Sequence, residues 1–294
     1  MPTKTPLIFL AHGSPMNAIE QNQYTESWKV LGKSIQKPRA ILMFSAHWIT
    51  EHETRISSSQ HPEMIYDMYG FPESLYHIHY DAPGSPEIAE EIITLLWASD
   101  PILPLVGGVR GGTPPNLPYK GRDDARRQVQ PKITLDPTRG YDHGVWSTLV
   151  HMFPEQDIPV VTMSLDYHMS PRQYIELGQS IAKLREKWIL IMWSGNIVHN
   201  LRAIDWNNGP AYPWATEFDA RVADGLTAWK NSPAWESILE FQSWGDVSKL
   251  AHPSYDHLLP LFPLMGASSV DDRVEFLTPD ITMGSLSMRS VVWG

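Results

Sequence analysis

The stretch Leu7-Ile8-Phe9-Leu10-Ala11-His12-Gly13-Ser14-Pro15 joins a short apolar run to a turn that carries a histidine. The run is too short for a signal peptide and has no small-residue cleavage pattern behind it, so it reads as a strand. The same arrangement returns twice. Ala40 to Phe44 leads into Ser45-Ala46-His47-Trp48, and Ile189 to Met192 leads into Ser194-Gly195-Asn196 with His199 just beyond. Ile158 to Met163 and Arg289 to Trp293 are two further runs of strand length. Helical patterns lie between them. Glu87 to Trp97 places Ile88, Ile92, Leu95 and Leu96 on one face, and Pro171 to Lys187 does the same with Ile175, Leu177, Ile181 and Leu184. Pro86 and Pro171 suit the first turn of these helices, where a missing amide costs nothing.

Strands alternating with helices predict an α/β fold: a single domain whose central, mostly parallel β-sheet is covered by helices on both faces. In such sheets ligands collect beyond the carboxyl ends of the strands, and this is where His12, His47 and His199 fall. A chain of 294 residues with 42% hydrophobic content fits one large core, so residues 1–294 read as a single catalytic domain. One segment breaks the rhythm. Pro104 to Arg139 is rich in Pro and Gly, is too long for an ordinary connection, and between Lys120 and Arg139 holds six Lys or Arg against three Asp. It reads as an excursion or lid at about 104–139, which either folds over a pocket mouth to meet an anionic group through Lys120, Arg122, Arg126, Arg127, Lys132 and Arg139 or is a solvated loop that contacts another subunit.

Composition narrows the chemistry. A net charge of −10 with only 19% charged residues carries no basic footprint, so nucleic acid is not expected as a partner. No run of about 18 apolar residues occurs, so no membrane span is expected and the location reads as cytoplasmic. Cysteine is absent, which removes disulfides, thiolate metal sites and thiol nucleophiles together. Any transition metal must then be held by carboxylate or imidazole, and there are twelve histidines.

Taken singly, each histidine reads as a capping or hydrogen-bonded residue; taken together they do not. Adjacent parallel strands would bring His12 and His47 to one rim. His199, four residues after Gly195, suits a ligand or a proton shuttle. His143 has an acidic neighbour and a following glycine that allows close backbone approach. His252 and His257 both precede the apolar Leu258-Leu259-Pro260-Leu261. His77 and His79 have the spacing of a His-x-His pair but no third ligand, and His52, His61, His151 and His168 read as ordinary polar residues.

Several of these motifs also form an ordered set. His-Gly-Ser-Pro-Met-Asn at 12–17, Ser-Ala-His-Trp at 45–48, Gly-Phe-Pro at 70–72, Tyr-Asp-His-Gly-Val-Trp at 141–146, Ser-Gly-Asn-Ile-Val-His-Asn-Leu at 194–201, His-Pro-Ser-Tyr-Asp-His at 252–257 and Met-Gly-Ser-Leu-Ser-Met at 283–288 run from end to end of the chain. Together the set resembles the DOPA-dioxygenase branch of the class III extradiol dioxygenases, the LigB-like superfamily. The resemblance implies a metal held by His12, His47 and His257, with His199 beside it as acid/base and His143 lining the pocket. It implies Fe(II) for activity, Zn(II) as an ion the same site accepts on purification, and a small aromatic substrate of catechol type with O₂ as co-substrate. The segment at 104–139 looks longer than in bacterial members, which bears on substrate size. Two rivals from other classes are a zinc-dependent hydrolase built on the same histidines and a non-catalytic metal-binding relative. A serine hydrolase is poorly supported, since neither Ser14 nor Ser194 sits in a Gly-x-Ser-x-Gly elbow.

Overall fold

The computed structural model describes residues 4–98, 132–229 and 235–294. Its strands are β1 (Leu7–Ala11), β2 (Ala40–Thr50), β3 (Glu53–Ser57), β4 (Lys132–Asp136), β5 (Val160–Asp166), β6 (Ile189–Gly195), β7 (Val274–Leu277), β8 (Ile281–Thr282), β9 (Leu286–Ser287) and β10 (Ser290–Trp293). Its helices are α1 (Gln23–Ser34), α2 (Pro86–Ala98), α3 (His143–Met152), α4 (Pro171–Ile181), α5 (Pro213–Ala228), α6 (Glu236–Leu239), α7 (Asp246–Ala251) and α8 (Leu261–Ala267).

One eight-stranded sheet runs β4-β3-β5-β2-β6-β1-β10-β7, and β8 pairs with β9 apart from it. The central strands β5, β2, β6 and β1 are mutually parallel, while β3 opposes β5 and β10 opposes both β1 and β7. A parallel centre requires cover on both faces, and β1, β5 and β6 are accordingly buried at every position instead of at alternate ones. Leu7, Phe9, Leu42, Phe44, Ile191 and Trp193 pack with residues of α2, α4, α5 and α8. Their neighbours Ile8, Leu10, Ile41, Met43, Leu190 and Met192 face the other way, onto α1 and α3. All twelve are fully buried. At about 1.5–3 kcal/mol for each such side chain, this double layer is the main source of stability at the sheet's centre. The α/β fold with a mostly parallel sheet between helical layers is therefore as the alternation of runs predicts.

Local signals set the helix starts. Asn22 accepts from the amide of Thr25, whose side chain in turn accepts from the amide of Asn22, and Ser170 and Gln173 make the same reciprocal cap ahead of α4. α4 ends at Ile181 and tightens into a 3-10 turn over Ala182–Leu184, short of the Lys187 its periodicity suggests. The lid expected at 104–139 lies mostly outside the described residues. Its final part, 132–139, forms the edge strand β4, parallel to β3, and the turn that leads to α3. There Lys132 lies near Glu53, and Arg139 is paired with Asp142 and stands over the ring of Trp48. Among the described residues no helix is long and apolar enough to cross a membrane.

Candidate metal centre

The ends of three parallel strands lie level. Ala11 of β1 is opposite Gly195 of β6, and Ser45 of β2 is opposite Ser194. His12 is the next residue after β1, and its amide still donates to the Gly195 carbonyl at 3.3 Å. β2 does not stop at Phe44, as its apolar run suggests, but continues to Thr50 with a register shift against β5 between Phe44 and Ile49. Irregularities of this kind re-aim side chains, and His47 lies inside this one. Its amide donates to Ser45 Oγ at 3.1 Å.

Two close backbone approaches bring in the other histidines. His143 is the first residue of α3, and a Cβ added to Gly144 would lie 2.6 Å from Ser45 Oγ and 3.0 Å from His47 Cδ2, so only glycine lets α3 come this near. A Cβ on Gly195 would lie 2.3 Å from the His257 carbonyl oxygen, which accepts the Asn196 amide at 3.0 Å. That contact ties the segment holding His257 to the end of β6. His199 is fixed by its amide bond to the Ala251 carbonyl at 3.0 Å, and its ring lies flat on that of His257 at 3.5 Å between centroids.

The result is a ring of imidazoles. Nε2 of His47 is 3.3 Å from Nε2 of His12. The ring of His257 lies 5.3 Å from that of His12 and 5.0 Å from that of His47, centroid to centroid. His143 stands 3.9 Å from His47, and the donor atoms of His12, His47 and His143 all lie within 4.8 Å of one another. All five line one cavity of about 680 Å³, with His199 on the same wall as His257.

Polar partners behind the rings decide which nitrogens face the cavity. Asp67 reaches His143 Nδ1 through Oδ1 at 2.9 Å and His47 Nδ1 through Oδ2 at 3.4 Å, and also accepts the His143 amide at 2.9 Å. Burial works to raise the Asp67 carboxyl, but the hydrogen bond from His143 overrides it and holds the group at about 2. Asp256 lies 2.7 Å from His257 Nδ1, and that bond likewise overrides burial and holds its carboxyl well below the usual range. Ionised carboxylates can only accept, so the Nδ1 atoms carry the protons and the Nε2 lone pairs are left toward the cavity. Nδ1 of His12 is held by Ser194 Oγ at 2.7 Å. Burial first, then repulsion among the rings, pushes His12, His47 and His199 well below the ordinary imidazole value, so all three are neutral near pH 7.

Neutral, converging imidazoles fit a borderline dication. The 3.3 Å between His12 and His47 is the separation two nitrogens have when each lies about 2.1 Å from one shared ion. Nε2 of His257 is buried and has no hydrogen-bond partner among the described residues, an arrangement that costs stability unless a ligand meets it. His252 sits differently. It is fully buried outside the cavity lining, its Nε2 donates to the Ile197 carbonyl at 2.6 Å, and burial lowers its pKa to about 4. The rings of His52 and His168 stack on each other on the surface, away from this group. Asp67, which orients two of the five rings, is absent from the residues the sequence singles out. It lies in the irregular stretch between β3 and α2, where no periodicity or motif marks it.

A family model described as the catalytic LigB subunit of aromatic ring-opening dioxygenase matches residues 6–103 and 124–292. A protein of Escherichia coli K12 named 4,5-DOPA dioxygenase extradiol is 36% identical over 294 residues, covering 99% of this chain and 96% of its own length. One of the same name from Beta vulgaris is 33% identical over 288 residues, covering 96% of this chain and 94% of its own. The crystal structure of an uncharacterised Escherichia coli K12 protein superposes with a TM-score of 0.77 at 34% identity, over 99% of this chain and 100% of the other.

Proposed function

The chain belongs to the LigB family of aromatic ring-opening dioxygenases, and on that footing we propose that it is an extradiol dioxygenase whose metal is held by His12, His47 and His257. The observation that carries this reading is the donor set: two Nε2 atoms 3.3 Å apart and, on a ring centred 5.3 and 5.0 Å from theirs, the His257 Nε2, buried without a hydrogen-bond partner among the described residues. Residues 1–294 then act as one catalytic domain in the cytoplasm on a small aromatic substrate and O₂. The relatives' names point to a DOPA-like catechol as the substrate class. Iron(II) bound there would supply the redox link between ring and O₂ and a point of attachment for both catechol oxygens. Zinc(II) suits three imidazoles equally well but has no accessible redox change.

The chain's own residues handle position and protons. His199 is neutral because burial, then its neighbour His257, disfavours the charged form, so its ring accepts a proton from a catechol hydroxyl and returns it later in the cycle. His143, its Nδ1–H committed to Asp67, offers Nε2 as a second acceptor on the same cavity. Met68, Phe71, Ile204 and Leu286 supply apolar wall against which an aromatic ring packs and from which water is displaced. Protein purified in air is expected to carry zinc and to be inactive, and stripping it and adding Fe(II) without oxygen should restore activity. The test is an oxygen electrode with a small panel of catechols. Uptake of one O₂ per catechol with a new yellow chromophore is expected. No uptake with any catechol, while the zinc form cleaves an ester or amide, would replace this reading with a hydrolase.

A further inference from the structure

The charged groups around the cavity do not all find partners. Among the described residues its two carboxylates, Asp67 and Asp256, are both taken up by imidazoles. Among the described residues the cavity is lined by one Lys or Arg, Arg202, and its guanidinium has no hydrogen bond or ion pair with any described residue. In a chain of net charge −10, an arginine left over at a pocket mouth is not the by-product of a basic surface. Its backbone is held firmly. Asn200 Oδ1 accepts the Arg202 amide at 3.0 Å, while Asn200 Nδ2 donates to the Leu250 carbonyl at 2.7 Å. The turn Leu201–Ala203 is thereby fixed, with Arg202 three residues beyond His199. Large side chains stay exposed around it at the mouth: Leu201 at 59%, Trp206 at 81% and Tyr69 at 92%. Among the described residues the cavity therefore has an imidazole floor, an apolar wall and one uncommitted cation near its opening.

We propose that Arg202 is a specificity-determining residue: it takes a carboxylate on the side chain of the aromatic substrate, so that the site selects catechols with an anionic tail. The assignment rests on the ring-opening reading above. A guanidinium matches a carboxylate through two parallel hydrogen bonds. The two carboxylates on the cavity wall carry the wrong sign for this task. A ring whose tail ends in an amine alone is disfavoured by the same cation.

The test compares 3,4-dihydroxyphenylpropionate with 4-ethylcatechol, which has the same ring and no carboxylate, on iron-loaded protein. Dissociation constants are taken anaerobically by titration, and KM by oxygen uptake. R202Q should weaken the acid about tenfold relative to 4-ethylcatechol, the low end for a charge-assisted hydrogen bond near solvent. R202K should recover part of that loss. Raising the salt concentration should weaken the acid in the wild type and lose this effect in R202Q. Equal effects of R202Q on both ligands, or none on either, would overturn the assignment even with oxygen uptake intact. Selective weakening of the acid with no oxygen uptake by the wild type would instead keep the subsite and remove the ring-opening reading.

Discussion

The two ends of the parallel strands bury polar groups in opposite ways. At the amino ends of β1 and β6, Arg185 donates through Nε to the Thr5 carbonyl at 2.8 Å, through Nη1 to the Ala267 carbonyl at 3.2 Å, and through both Nη atoms to Asp272 at 2.6 and 3.0 Å. Asp272 also accepts the Ser269 amide at 2.6 Å and pairs with Lys4 at 2.9 Å. The Arg185 and Asp272 side chains are only 2% and 1% exposed, and they close on each other and on the backbone. At the carboxyl ends the partners stand behind the rings and the front is open. The Nε2 atoms of His12 and His47 face each other and that of His257 has no hydrogen-bond partner among the described residues. A closed polar network holds a fold together, whereas an open one, stabilised from behind, is waiting for a ligand.

Three substitutions put this contrast at risk, the largest effect first. His199→Ala should lower turnover by about 10²–10⁴-fold, the usual contribution of a general acid/base, while most of the metal is retained. Single-turnover kinetics with metal analysis checks both. Wild-type turnover would end the proton-transfer role, and complete loss of metal would make His199 a ligand. Asp272→Ala should cost about 3–5 kcal/mol in urea denaturation, because it strands a buried guanidinium, and should leave metal content alone. Loss of metal in that variant would mean the two ends of the sheet are not separable.

The smallest effect is in acid. Burial works to raise the Asp272 carboxyl, but the Arg185 bond prevails and holds it well below the usual carboxylate range. A carboxylate depressed in the folded state adds stability that is fully present above the unfolded value near 3.9 and drains away as the pH falls below it. Between pH 7 and 4, Asp272→Asn should therefore stay less stable than wild type by a constant margin, and the gap should narrow below about pH 4. A gap that does not narrow would mean the ion pair adds nothing to stability.

How far the sequence alone reaches depends on whether a feature is local. His12 and His199 are legible because each closes an apolar run or its turn, and chain-local periodicity places those runs in a parallel sheet. His47 is only half legible. Its distance from Phe44 suggests a turn, but it sits within the continuing β2, where the register shift against β5 turns the ring. His257 is set apart from His252 in sequence only by the family resemblance, and in the structure it is the contact of Gly195 with the His257 carbonyl that brings that ring to the rim. Asp67 and Arg202 are beyond reach for a different reason. Asp67 has no marked neighbour on either side, and Arg202, although it directly follows the motif at 194–201, gains meaning only because segments remote in sequence line one cavity.

The most direct test of the open donor set is the metal content of three proteins reconstituted alike with Fe(II) under anaerobic conditions: wild type, His257→Ala and His252→Ala. One iron per chain is predicted in the wild type and close to one in His252→Ala, whose ring is bonded to the Ile197 carbonyl outside the cavity lining. His257→Ala should bind substantially none. Full iron in His257→Ala, or its loss only in His252→Ala, would contradict the assignment.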